Sequence, residues 1–313
     1  MLSMISLPTL RQLRHLVALA DHGHFGRAAD AASVTQSTLS ASIKELESVL
    51  EAALVDRTRR QVVLTPLGRQ TVERARRILA DTEALALAAR AEREPLSGTL
   101  RMGVIPTIGP YLLPAVLPGL RRAYRGLQLY LVEDLTPRLL EQLHGGQLDV
   151  VLLALPYDCG NVESAPLFDD RFLLALPPDH PLAKERRVDP ERLRSEEVLL
   201  LRDGHCLREH ALSVCHLADR RRTEAFEATS LPTLVQMVDN GLGITPLPEL
   251  AIDAGLLRGT SLVTRPLAAE EPGREIALVW RRGTGRREEF LLLAKELAAR
   301  VKKARHESPK RRT

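Results

Sequence analysis

The feature that most constrains this chain is a helical pattern of about 25 residues beginning at Thr65-Pro66. Threonine caps a helix and proline suits its first position. Leu67, Val72, Ala75, Ile78, Leu79, Leu85, Ala86 and Ala89 then keep one apolar stripe, with no glycine or proline after Gly68. A helix this long between two bodies has little to bury its stripe against except a second copy of itself. It reads as a dimerising linker; packing on its own domain is the alternative. The length of 313 residues, about twice a typical domain, also asks for two domains.

Before the linker, every periodic segment is short and helical. Ser6-Leu7-Pro8 opens a helix carrying Leu10, Leu13, Leu16, Val17 and Ala20, and Gly23 stops it. A second runs through Arg27–Ala32, and Thr35 caps a third with Leu39, Ile43, Leu46 and Leu50 on one face. Leu54–Arg57 and Gln61–Leu64 follow as two small strands joined through Thr58-Arg59-Arg60. The arrangement is a winged helix-turn-helix with a basic wing tip.

After Pro95-Leu96-Ser97-Gly98, short apolar runs alternate with helical stretches: Leu100–Ile105, Leu127–Val132, Val150–Leu155, Phe172–Leu176, Val198–Leu201, Phe226–Ala228, Gly243–Leu247 and Ile276–Trp280. Such alternation predicts βαβ units and mostly parallel sheet. About 215 residues is large for one sheet, so two α/β lobes with a crevice are expected, with loops such as Pro106–Pro110 at the carboxyl ends of strands.

Composition narrows the function classes. With 44% hydrophobic and 27% charged residues the chain is globular, and no apolar run reaches the about 18 residues of a membrane span. The N-terminus carries Arg11 and Arg14 within its apolar stretch and lacks a small-residue cleavage site, which argues against a secretory signal and for the cytoplasm. Three cysteines in a reducing compartment are no disulfide framework. Aromatics at 3% are too few for base-stacking platforms. Residues 295–313 hold eight Lys/Arg against Glu296 and Glu307, more than the whole net charge of +4, and residues 1–80 hold eleven Lys/Arg against seven Asp/Glu. A basic head on a near-neutral body suits a polyanion partner.

On the third helix, after Thr35, Gln36, Ser37 and Ser40 read as lying on the face opposite Leu39 and Ile43, with Thr38 a further DNA-binding candidate. Short polar side chains at a helix N-terminus, with an amide that can pair bidentately with adenine, are what major-groove reading needs. Arg11, Lys44, Arg57, Arg59 and Arg60 can neutralise phosphates. Each residue alone reads as surface polarity; their order and spacing together do not.

Those residues carry a resemblance. Ala28–Ser40, Ile43-Lys44-Glu45-Leu46-Glu47, Leu54-Val55-Asp56-Arg57 and Leu64–Gly68 resemble the DNA-binding head of LysR-type transcriptional regulators, and the likeness runs through nearly the whole chain. Ser37 departs from the proline of many relatives, which bears on base preference more than on fold. The implied fold is α/β, with a winged helix-turn-helix over 1–65, a linker helix over 66–95 and a two-lobed, Rossmann-like regulatory domain over 96–305 of the periplasmic-binding-protein type. Lobe one takes about 96–168 plus 274–305 and lobe two about 169–273. A basic, disordered tail over 306–313 closes the chain; it either adds affinity for DNA or is a frayed end.

Arg202–Leu212 with Cys215 is similar to the redox segment of the peroxide-sensing members of that family, supported by Ile105–Pro114, Ala228–Leu231 and Gly243–Thr245. A thiol meets peroxide as the thiolate. Cys206 is bordered by His205 and Arg208 at the start of a helix after a glycine turn, and both a positive neighbour and a helix N-terminus favour that form. Cys206 is therefore the peroxidatic candidate. The resemblance implies that Thr107 and Thr136 orient peroxide across the crevice and that Arg274 adds positive field. A sulfenic acid on Cys206 would condense with Cys215, yet a helical 207–214 holds the two α-carbons about 13 Å apart, beyond the roughly 7 Å a disulfide tolerates. Closing the bond must remodel residues 206–220, which supplies a switch. The bland alternative is two buried, inert cysteines.

Cys159 reads as an incidental loop cysteine. His205, Cys206, His210, Cys215 and His216 are metal-ligand types without zinc-site spacing, so no metal and no cofactor is expected. The resemblance implies promoter DNA, hydrogen peroxide and RNA polymerase as partners, a homodimer or homotetramer, and activation of oxidative-stress defence genes without enzymatic turnover. Competing readings are a metabolite in the crevice, a thiol peroxidase, and a periplasmic solute-binding protein, which the N-terminal 95 residues oppose.

Overall fold

The computed structural model describes residues 6–56, 62–91, 94–215, 228–268 and 273–307. Arg57, Arg59 and Arg60, His216 and residues 308–313 lie outside the described residues. Two units divide the chain: one runs to Ala89 with 144–147 and 284–286, and the other holds the rest.

In the first unit, α1 (Leu10–His22), α2 (Phe25–Ala31) and α3 (Gln36–Val49) precede the hairpin of β1 (Val55–Asp56) and β2 (Val63–Leu64). The first helix starts at a capping box: Gln12 N–H donates to the Thr9 hydroxyl and Thr9 N–H to the Gln12 side chain. That box, and not Ser6, sets its start. Gly23 closes it at φ +60°, where a glycine is at ease. Leu13, Leu16, Leu19, Ala28, Ala29, Leu39, Ile43 and Leu46 bury the core between the three helices. A fully buried leucine contributes about 1.5–3 kcal/mol. Helix α4 (Pro66–Ala91) lends Val72 and Ala75 to the same core, while Leu67, Ile78 and Leu85 stand exposed, Leu85 at 73%. The early part of the stripe thus packs on its own unit.

The second unit contains β3 (Gly98–Val104), α5 (Gly109–Ala123), β4 (Leu127–Glu133), α6 (Thr136–His144), β5 (Val150–Leu155), β6 (Val162–Leu176), α7 (Cys206–Val214), α8 (Leu231–Asp239), β7 (Thr245–Pro248), α9 (Glu249–Asp253), β8 (Val263–Pro266), β9 (Gly273–Arg281) and α10 (Arg287–Glu307). The sheet order is β4-β3-β5-β9-β6-β7, with β8 on β6. The expected mostly parallel sheet is corrected to a mixed one: β3 runs parallel to β4 and β5, whereas β9 and β6 pair antiparallel with their neighbours. The long strand β6 joins both lobes, pairing β9 over residues 162–171 and then β7 and β8. Alternation of short apolar runs reports strand existence but not direction, so this reversal is silent in local pattern.

Two cores result. One is built on β3, β5, β9, α5 and α10 and the other on residues 172–267. The last helix continues to Glu307, two residues into the stretch read as disordered tail. Among the described residues no helix is long and apolar enough to cross a membrane.

Candidate functional site

Because β3 and β4 are parallel, the loops after them open on the same edge of the sheet. Ile105, Pro106 and Thr107 follow β3, Leu135 and Thr136 follow β4, and Gly204, His205 and Cys206 come from the other lobe; together they line one small recess. Gly204 turns the chain into α7 at φ +93°, and a Cβ there would meet Leu135 at 3.2 Å. A side chain at this position is disfavoured twice over.

Cys206 is the first residue of α7 and is 3% exposed. It sits where the unpaired N–H groups of the helix leave a partial positive charge. The neighbouring charges differ from the sequence expectation. Burial, and then the charge of Arg202, holds His205 below the usual histidine range, so its ring is neutral at pH 7. Arg208 pairs with Asp203 at 3.0 Å and donates to the Leu201 carbonyl at 3.2 Å.

The two threonines are differently placed. Thr107 Oγ1 accepts from Arg274 Nη1 at 2.9 Å, and its carbonyl accepts from Nη2 at 3.1 Å. Thr136 is 1% exposed, and its hydroxyl has no hydrogen-bond partner. An unsatisfied buried hydroxyl costs about 1–3 kcal/mol, which a small polar ligand in the recess would recover. His210, one turn after Cys206, donates from Nε2 to the Pro156 carbonyl at 2.8 Å, leaving Nδ1 buried without a partner.

All three cysteines are free thiols and buried. Cys206 packs with the first core, whereas Cys215, just past the end of α7, lies in the second at 0% exposure. Burial pushes the Cys215 thiol up to about 12. Cys159, read from sequence as incidental, is buried in the same core as Cys206. Burial first, and then Asp158 and Cys206, raise it to about 11. Among the described residues no cluster of three or more His, Cys, Asp and Glu side chains could hold a metal ion.

In the head, Gln36, Ser37, Thr38 and Lys44 are exposed on α3 and Ser40 is half-buried, while Leu39 and Ile43 are buried in the core. Thr35 caps this helix, its hydroxyl accepting from Thr38 N–H at 3.2 Å and lying 2.8 Å from the Thr38 hydroxyl and 2.9 Å from that of Ser37. Arg11 is exposed on α1. Asp170, which matters here, had no signal in the sequence, because its partner Arg274 is distant along the chain; His210 was noted there only as a metal-ligand type, and its partner Pro156 is likewise distant.

Comparison with known proteins agrees with this layout. The LysR substrate binding domain family matches residues 93–302, and the bacterial regulatory helix-turn-helix protein, lysR family, matches residues 10–69. The DNA-binding transcriptional dual regulator OxyR of Escherichia coli K12 is 43% identical over 292 residues, 93% of this chain and 95% of that protein. A probable hydrogen peroxide-inducible genes activator of Mycobacterium avium is 43% identical over 92% of each chain. A cysteine-to-aspartate variant of full-length OxyR from Pseudomonas aeruginosa superimposes with a TM-score of 0.78 at 36% identity, covering 92% of this chain and 94% of that one. An H2O2-bound cysteine-to-serine mutant of Corynebacterium glutamicum OxyR gives 0.67 at 34% identity, covering 97% and 96%. On the family matches, which together span both units, and on these relatives, the chain belongs to the LysR family of helix-turn-helix transcription regulators, in its OxyR branch.

Proposed function

We propose that this protein is a DNA-binding transcription regulator that senses hydrogen peroxide at Cys206 and activates peroxide-defence genes. The observation that carries the reading is a convergence of residues: the buried Cys206 at the start of α7 shares one recess with Thr107 and with the unpartnered Thr136 hydroxyl. Thr107 accepts from Arg274, which leaves its own hydroxyl proton to donate into the recess. Thr136 can donate or accept there. The names of the relatives point the same way.

In the chemistry, the Cys206 thiolate attacks one peroxide oxygen and the O–O bond breaks. The departing hydroxide takes a proton to become water, leaving Cys206 as sulfenic acid. Cys215 gives up its proton and attacks that sulfur as thiolate; the S–O bond breaks, the departing hydroxide takes up a proton to leave as water, and the disulfide forms. Each regulator is oxidised once per event, so the thiols signal and do not turn over. Cys215 lies nine positions after Cys206, just past the end of α7, which sets their α-carbons about 13 Å apart, and the bond requires this helix to unwind. Because the two thiols belong to different cores, unwinding disturbs the packing of both lobes.

At the other end, Gln36, Ser37, Thr38 and Ser40 would face base edges, with Arg11, Lys44, Arg57, Arg59 and Arg60 on phosphates. Paired half-sites call for a dimer or a dimer of dimers; the exposed Leu67, Ile78 and Leu85 of α4 are available for that contact. RNA polymerase is the expected partner at the promoter, and a reducing cytoplasm the expected setting. The deciding experiment replaces Cys206→Ser and follows peroxide-induced transcription from a target promoter. The variant is expected to bind operator DNA like the parent and to lose the induction. Induction that persists would overturn the peroxide reading in favour of a metabolite.

A further inference from the structure

The Arg274 guanidinium that meets Thr107 is itself held from behind. Asp170 lies on β6 directly opposite Arg274 on β9, in the last stretch where those strands pair before β6 passes to the second lobe. Both side chains are fully buried. One carboxylate oxygen of Asp170 accepts from Arg274 Nε at 3.1 Å and Nη2 at 3.0 Å; the other accepts from the Leu250 N–H at 2.8 Å. Leu250 belongs to α9, and Thr107 to the loop after β3. A single carboxylate therefore ties the second lobe, the joining strand and the recess wall into one chain of hydrogen bonds. The strands approach so closely here that a Cβ on Gly273 would fall 2.7 Å from the Asp170 carbonyl, which fixes the register that sets Arg274 against Asp170.

We infer that Asp170 is a positioning residue for peroxide recognition: it clamps Arg274 so that Thr107 must accept from the guanidinium and present its own proton to the recess. The guanidinium is planar, and donating from both Nε and Nη2 to one Asp170 oxygen fixes the direction of the N–H groups that meet Thr107. Without the carboxylate the guanidinium is free to turn. The Thr107 hydroxyl then loses its fixed orientation, while Cys206 and α7 are untouched. This rests on Cys206 being the peroxide-reactive thiol.

The test compares two rate constants on the full-length reduced protein: oxidation of Cys206 by hydrogen peroxide and its alkylation by iodoacetamide, which needs a nucleophilic thiol but no oriented hydroxyl. Asp170→Asn keeps an acceptor for Leu250 and removes the charge. It is expected to slow the peroxide reaction about ten- to a hundredfold, the size of effect that small misplacements in a site produce, with alkylation within about twofold of the parent. Should that variant not fold, Asp170→Asn/Arg274→Gln, which leaves no lone buried charge, is measured instead with the same expectation. Peroxide rates within about twofold of the parent, or equal losses in both reactions, would overturn the inference. A parent protein whose Cys206 ignores peroxide would instead overturn the functional reading.

Discussion

His210 shows how one side chain couples this site to pH. A carbonyl can only accept, so the bond to Pro156 fixes the proton on Nε2 and leaves Nδ1 as a buried lone pair. Burial, with Arg274 adding to it, pushes the ring below the ordinary histidine value of 6.5. His15 in the head and His205 beside Cys206 are shifted the same way, each chiefly by burial. Unfolded, these rings take up protons near pH 6.5; folded, they resist. The unfolded chain therefore binds more protons below that pH, and stability falls as pH drops from about 7 toward 5. Thermal unfolding across that range checks this. His210→Gln is expected to flatten the slope by up to about 1.4 kcal/mol per pH unit, one proton's worth. An unchanged slope would mean that the ring titrates normally.

At the scale of elements, the third helix separates two kinds of DNA contact. Gln36 stands at its exposed N-terminal end, next to the Thr35 cap, and Lys44 lies two turns on. If the first reads a base and the second a phosphate, their replacement differs in kind. Gln36→Ala is expected to cost about 1–3 kcal/mol on the native operator and to relax preference at one base pair, whereas Lys44→Ala weakens all sequences alike and lowers the salt slope by about one. Operator and scrambled-site titrations at several salt concentrations distinguish the two. This helix was legible beforehand because a cap, a stripe and a stop are local signals: Thr35, Leu39, Ile43 and Leu46 lie within one short stretch. The mixed sheet was not, since β6 meets β9 across about a hundred residues and no local pattern encodes strand direction. Asp170 was hidden for the same reason. Its role depends on lying opposite Arg274, a matter of register. Thr107, Thr136 and Arg274 came from family likeness alone, since nothing near each in sequence says that they converge.

For the whole molecule, the arrangement of thiols is what makes oxidation consequential. Cys206, the sulfur proposed to meet peroxide, is packed with one lobe, and Cys215, the sulfur proposed to resolve it, is buried in the other and raised to about 12. Joining them sacrifices α7 and two core contacts at once, so a covalent event at one atom is felt across both lobes. Cys159 shares the core of Cys206 and is raised to about 11, making it a poor competitor at neutral pH while it stays buried. The most direct measurement is peptide mass mapping under non-reducing conditions, before and after micromolar peroxide, with Cys215→Ala alongside. The account expects a Cys206–Cys215 crosslink that appears with peroxide, reverses with a dithiol and is missing in the variant. A Cys206 that remains a free thiol at those doses would contradict it.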